Sequence, residues 1–211
     1  VLIRAAKIIG LGLALHLLSF LLMDKEWFRP WGVLQRIGLC FAVVGFLALH
    51  SKVRLQWAVI TGLLLGYWGL LLIGGSFEPW INLASRVDTA LLGPLLYQFD
   101  PATGLGHDPE GLLSTLPAIA TTLLGLRAGD WLRRGRTMRL VCAGLVALVL
   151  GLLWSQWFPL NKNLWTSSYV LWTAGWAMLG LAVAHVLIDR RQWPAPVSYT
   201  TLTLPTICSV E

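Results

Sequence analysis

Long apolar blocks separated by short polar stretches make up most of the chain, and the blocks are continuous rather than spaced at helical or strand intervals. Six of them, 3–23, 32–49, 55–73, 111–129, 140–157 and 164–188, are long enough to cross a membrane. A helix needs about 20 residues to cross roughly 30 Å of hydrocarbon, with about 17 as the lower limit. Barrel strands would be about half as long and alternating. The pattern predicts an all-α, polytopic transmembrane helix bundle with six spanning helices, and it excludes a β-barrel.

The longest polar connection covers residues 74–110. Within it, 82–92 sets Leu83, Val87 and Leu91 on one helical face, with Arg86 and Asp88 elsewhere. That spacing predicts a short helix lying on the membrane surface. Asp100-Pro101 and Gly104-Leu105-Gly106 break the chain again before the fourth span. Small residues recur at packing intervals: Ala6 and Gly10, Gly38 and Ala42, Gly62 and Gly66, Ser114, Ala118 and Thr122, and Gly144, Ala147 and Gly151. Such spacing lets backbones approach where lipid offers no hydrophobic drive.

Composition agrees with this reading. The chain is 56% hydrophobic and 12% charged, about half the charge of a soluble domain. The charge also sets an orientation. Eleven basic residues fall on one side: Arg4, Lys7, Lys52, Arg54, Arg127, Arg133, Arg134, Arg136, Arg139, Arg190 and Arg191. Five fall on the other: Lys25, Arg29, Arg36, Arg86 and Lys162. The first side is expected to be cytoplasmic, with both ends of the chain there. The net charge of +6 is then mainly a topology signal, and no nucleic-acid partner is expected. The bilayer is the first partner; a homo-oligomer is left open.

Charged or strongly hydrogen-bonding groups near hydrocarbon are costly, so they are the candidates for function. Arg36 lies about one turn into the second span, beside Gln35; it either serves a site or snorkels to the outer interface. Asp108-Pro109-Glu110-Gly111 reads as a helix start, with Asp as the cap and Pro at the first helical position. His16 lies inside the first span and either relays protons or packs with a hydrogen bond. His50, His107 and His185 are expected to be interfacial or solvated. No histidines, cysteines or acids have metal-ligand spacing, so no metal is expected.

The sharpest stretch is Asn161-Lys162-Asn163-Leu164-Trp165-Thr166-Ser167-Ser168-Tyr169. Asn161 or Asn163 can cap the sixth span, and a helix N-terminus with Lys162 beside it is a ready anion site. Trp165, Tyr169, Trp172 and Trp176 recur on one stripe, and Ser167 and Ser168 offer hydroxyls just below the cap. The stretch is expected to line a pocket.

This stretch resembles the signature of the heparan-α-glucosaminide N-acetyltransferase family and its bacterial relatives. Gly32-Val33-Leu34-Gln35-Arg36-Ile37 is similar to a second motif of that family, and the segment from Asp108 to Ile119 to a third. The resemblance implies a longer membrane acyltransferase that carries an acetyl group from cytoplasmic acetyl-CoA to an amino sugar or envelope glycan across the membrane. In a bacterium this would be an enzyme of the cytoplasmic (inner) membrane. The family's proposed catalytic histidine lies on an early outer loop with no counterpart here, so the chain is expected to be a fragment lacking an N-terminal part and inactive alone. On this reading Gln35, Arg36, Asn161, Lys162, Asn163, Trp165, Ser167 and Ser168 form a substrate-binding wall, and no catalytic residue is assigned.

The rival reading is a transporter or flippase for a sugar or lipid-linked substrate. Internal repeats and broken helices would favour it, and no convincing repeat is present. Residues 1–193 form the membrane domain. The uncharged, β-prone segment 194–211 is discordant with it and is expected to be a sequencing or assembly artefact.

Overall fold

The computed structural model describes residues 1–23 and 27–190; the discordant segment 194–211 lies outside them. Among the described residues the long helices are α1 (Leu2–Leu22), α2 (Val33–His50), α3 (Val53–Ile73), α5 (Thr115–Arg133), α6 (Thr137–Trp154) and α7 (Ser167–Ala184). A short helix, α4 (Leu83–Leu92), and a hairpin of β1 (Gln98–Asp100) and β2 (Leu105–His107) lie between α3 and α5. The last helix runs on into a wider π-helical turn, His185–Arg190. The chain is an integral membrane protein with a helical bundle, as its pattern predicts.

Among the described residues five helices are long and apolar enough to cross a membrane: α1, α2, α3, α6 and α7 with its continuation. The fourth predicted span, α5, differs. It is helical for 19 residues but carries Arg127, Asp130 and Arg133 in its last two turns. Its position accounts for this composition. Helix α5 touches α2, α3, α6 and α7, and it buries Ala118, Ala120, Leu123, Leu124 and Ala128 in the main core. A helix wrapped by protein need not be as lipophilic as one facing acyl chains. By contrast α1 packs on α2 and leaves its leucines exposed.

The small residues sort by what they meet. Those of α6 work as predicted: a Cβ on Gly144 would lie 3.1 Å from the Gly175 carbonyl, and one on Gly151 would lie 2.8 Å from the Trp172 nitrogen. The α6–α7 backbones touch there, and dispersion between them replaces a hydrophobic drive. Between α1 and α2 Gly38 packs as predicted, a Cβ on it lying 3.1 Å from the Ala5 carbonyl, but α1 does not present the expected small residues. Ala5 and Gly12 are buried, while nothing lies within 4 Å of a Cβ on Gly10. Gly62 and Gly66 of α3 are likewise open.

Helix α4 forms where predicted, and Asn82 caps it by accepting from the Ser85 nitrogen at 2.8 Å. Its buried face is Ala84, Ser85 and Asp88, while Leu91 is two-thirds exposed. The polar side packs onto the hairpin. The hairpin pairs Gln98 with His107 and Asp100 with Leu105. Asp100 closes its turn by accepting from Ala102 nitrogen and Thr103 Oγ1, and Gly104 supplies the positive φ. This half of the bundle is the hairpin end. The other carries Arg133, Arg134 and Arg136 and is the arginine end.

Candidate functional site

Arg36 does not snorkel. It enters on the first turn of α2, turns inward and is 7% exposed. Its Nη1 donates to the Pro109 carbonyl at 3.1 Å and its Nη2 to the Ser114 carbonyl at 3.0 Å. The guanidinium carbon sits 4.5 Å from the centroid of the Trp165 ring. A cation over an indole face in a desolvated setting gains about 2 kcal/mol. Trp165 is not on the helix that was predicted to carry it. It stands in the turn before α7 with φ 51°, and its Nε1 donates to Thr121 Oγ1 at 3.1 Å. A bulky residue in the left-handed region is strained, and here the strain sets the indole between α2 and α5.

A second basic group completes the cluster. Arg29 donates through Nε to Asp108 Oδ2 at 3.2 Å and through Nη2 to Asp108 Oδ1 at 2.6 Å. The same Nη2 reaches Glu110 Oε2 at 2.9 Å. Asp108 also accepts from the Tyr97 and Glu110 nitrogens, and Trp31 Nε1 donates to the Glu110 carbonyl. Burial pushes the Asp108 carboxyl up, and Arg29 with the two amides works against that push. The expectation that Asp108 caps the fourth span is not met. Residues 108–114 fold as turns, α5 begins at Thr115, and Asp108 instead caps its own turn.

Asp88 holds this segment from the other side by accepting from the Leu112 nitrogen at 2.8 Å. Burial raises its carboxyl to about 6, opposed by that amide. His107, expected to be solvated, is buried and shares a 3.0 Å hydrogen bond with Ser85 through Nδ1. Its burial lowers its basicity, and its Nε2 is sealed without a partner.

The stretch from Asn161 to Ser168 forms a knot of hydrogen bonds at the start of α7. The predicted asparagine cap is absent: Thr166 precedes the helix, and Asn161 Oδ1 accepts from the Asn163 and Leu164 nitrogens to close a turn. Ser167 and Ser168 are fully buried, donating to the Leu64 carbonyl at 2.7 Å and the Phe158 carbonyl at 2.6 Å. Tyr67 of α3 donates to the Leu164 carbonyl at 2.6 Å. These bonds hold Trp165 in place. Lys162 and Asn163 are exposed, and Trp176, the last of the predicted aromatic stripe, is 56% exposed.

Three openings line up along α5. One of about 340 Å³ is lined by Val33, Arg36, Cys40, Glu110, Thr121 and Trp165. A second of about 380 Å³ shares Thr121 and Trp165 and continues past Gly125, Tyr169 and Met178. A third of about 420 Å³ adjoins through Thr122 and Gly125 toward Ala48. Ala118, Thr121, Thr122, Gly125 and Ala128 form one small-residue stripe, roughly 15 Å long at 1.5 Å per residue. The groove begins at Arg36 and Glu110 and descends toward the arginine end. Among the described residues no group of three His, Cys, Asp or Glu is placed to hold a metal ion.

The structure thus brings Arg36, Trp165 and the 108–114 turn together from three separate motifs. Gln35 is adjacent but faces α1, buried to 2% with neither amide atom partnered. Arg29 and Thr121 are partners that sequence reading did not single out. No local pattern marks a contact that spans 79 or 44 positions.

No protein-family model matches the chain. It is 29% identical over 248 aligned positions to the heparan-alpha-glucosaminide N-acetyltransferase of Homo sapiens, a match taking in 89% of this chain and 37% of that protein. It is 33% identical over 126 positions to the protein of the same name from Mus musculus, covering 51% of this chain and 19% of the relative. The chain is a relative of the heparan-alpha-glucosaminide N-acetyltransferases, as its three motifs suggested. It spans little more than a third of the length of the human protein.

Proposed function

We propose that the chain forms the binding wall of a membrane acyltransferase that moves an acetyl group from acetyl-CoA to the amino group of a sugar or envelope glycan. One observation carries this reading. A buried arginine is held by backbone carbonyls and an indole at the mouth of a groove, and residues from all three motifs of the family meet there. The relatives' name supplies the reaction class. In the proposal the arginine end faces the cytoplasm of a bacterium, and the hairpin end faces the far side of its inner membrane.

The eight proposed binding residues then divide by position. Arg36 and Trp165 front the groove, and Gln35 stands behind Arg36. Asn161, Ser167 and Ser168 fix the turn that presents Trp165, and Lys162 and Asn163 are the exposed residues of that turn. Acyl transfer to an amine needs a nucleophile free of its proton, and positive charge or donors where the thioester carbonyl gains negative charge. Arg36 is the group best placed for the second task. The stripe along α5 offers an extended, narrow path from the cytoplasmic side, where the donor is found, to Arg36.

Acetyl transfer from radiolabelled acetyl-CoA to glucosamine by the full-length protein in proteoliposomes is the test, with sugar uptake by the same vesicles in parallel. Transfer that disappears in Arg36→Ala while membrane insertion persists supports the reading. Uptake without transfer replaces the enzyme by a transporter.

A further inference from the structure

Positive charge gathers on the short turn between α5 and α6. Arg133 ends α5, Arg136 precedes α6 and Arg139 lies in its first turn, and all three are exposed. Arg134, between them, is taken by Asp130 at 3.0 Å. We propose that Arg133, Arg136 and Arg139 form the seat of an anionic phospholipid headgroup in the leaflet at the arginine end. The seat is independent of the acyl-transfer reading.

The turn carries these arginines on a fixed backbone. The Gly135 nitrogen donates to the Leu132 carbonyl at 2.9 Å and the Arg136 nitrogen to the Trp131 carbonyl at 2.8 Å. With Gly135 at φ 66°, these bonds close a Schellman cap, which a residue with a Cβ would strain. A phosphate arriving there orders side chains alone, because the backbone is already set. Orientation in the membrane requires only that positive charge lie on this side. It does not require that the charge be collected on one rigid turn.

The start of α6 adds to the field of the arginines. The helix has no side-chain cap and no acid in its first turn. The positive end of its dipole is therefore left to solvent or a ligand at the turn where Arg136 and Arg139 stand.

The surface beside the cations selects the kind of anion. Met138, Leu145 and Val149 are exposed and lie on one stripe of α6, which runs from the turn into the bilayer. From Met138 to Val149 the stripe covers roughly 16 Å at 1.5 Å per residue, about half of the hydrocarbon thickness. Trp57 of α3 stacks on Trp131 of α5 just before this turn, with ring centroids 6.2 Å apart, as suits a headgroup boundary. Cations set directly against acyl-chain surface fit a phospholipid. A soluble phosphate would use the cations and leave the stripe idle.

Counting bound lipid tests this. The full-length protein in detergent is mixed with equal amounts of phosphatidylglycerol and phosphatidylcholine, and native mass spectrometry reads the lipid retained. Phosphatidylglycerol should be preferred, and the preference should fall about fivefold for each arginine removed in Arg133→Gln with Arg136→Gln. Arg4→Gln with Lys7→Gln removes equal charge from exposed positions of α1 at the same end and should change the preference little. Gly135→Ala keeps every charge but strains the turn, and should lower the preference as well. Equal losses in the two double variants overturn the seat, because general surface charge then suffices. No preference in the unaltered protein overturns it too. Displacement of phosphatidylglycerol by inorganic pyrophosphate overturns the lipid and assigns the turn to a soluble phosphate.

Discussion

Arg29 and Arg36 at the hairpin end and Arg133, Arg134 and Arg136 at the arginine end are the same residue type used in opposite ways. At the hairpin end, Arg29 and Arg36 are drawn inward and bonded to Asp108, Glu110 and backbone carbonyls. At the arginine end, Arg133, Arg134 and Arg136 are exposed, and Arg134 makes an i,i+4 pair with Asp130 while its side chain stays 59% exposed. A solvated arginine is worth little to the fold and much to orientation. A buried one is costly to move and fixes what surrounds it. Charge count alone therefore says nothing about a site; the partners do.

Substitutions should separate the ends, with the largest effect at Arg36. Arg36→Ala removes a charged donor from each of two backbone carbonyls and the cation from an indole face. It should lower stability by about 3 kcal/mol and abolish acetyl transfer, as read by thermal unfolding in nanodiscs and the radiolabel assay. Arg36→Lys keeps the charge but not the fork, and should recover only part of either. Retained stability and activity in Arg36→Ala would erase the contrast between the ends.

Asp108→Asn comes next. It breaks a two-point contact with Arg29 and leaves that guanidinium with Glu110 alone, for a loss of about 2 kcal/mol read in the same unfolding experiment.

A pH effect of similar or smaller size should arise at Asp88. Its carboxyl titrates near 6 when folded, against an ordinary value of 3.8. Between these values the folded protein holds more protons than the unfolded chain, so stability is greatest below about pH 4 and falls as pH rises through 6. The maximum is on the order of 2–3 kcal/mol at 1.36 kcal/mol per pH unit. Asp88→Asn should flatten this slope; an unaltered slope would assign it to another group.

The smallest effect belongs to the other end. Arg134→Ala should change unfolding by no more than about 0.5 kcal/mol and leave transfer rates unchanged.

Some of this was legible along the chain. Five of the six predicted spans, the short helix at 82–92 and the close approach of α6 through Gly144 and Gly151 all follow from local composition and spacing. The starts of α5 and α7 did not. Asp108 and Asn161 look like helix caps, yet each satisfies a turn of its own, because the chain has to fold back over the bundle before the helix begins. His107 and Leu91 were also misplaced. The surface helix packs its small polar face inward, and which face wins depends on the hairpin laid against it.

By itself the sequence determined that this is a helical membrane protein, where most of its apolar spans run, and that it is similar to the N-acetyltransferases. Hydrophobicity and motif residues are properties of the chain read one stretch at a time. Only the tertiary structure decided that Arg36 turns inward, that Trp165 leaves its helix to lie under it, and that Ser167 and Ser168 anchor the turn. Most of those outcomes depend on a partner distant in the chain, as Ser167 does on Leu64 and Trp165 on Thr121, and no local pattern of residues encodes such a contact.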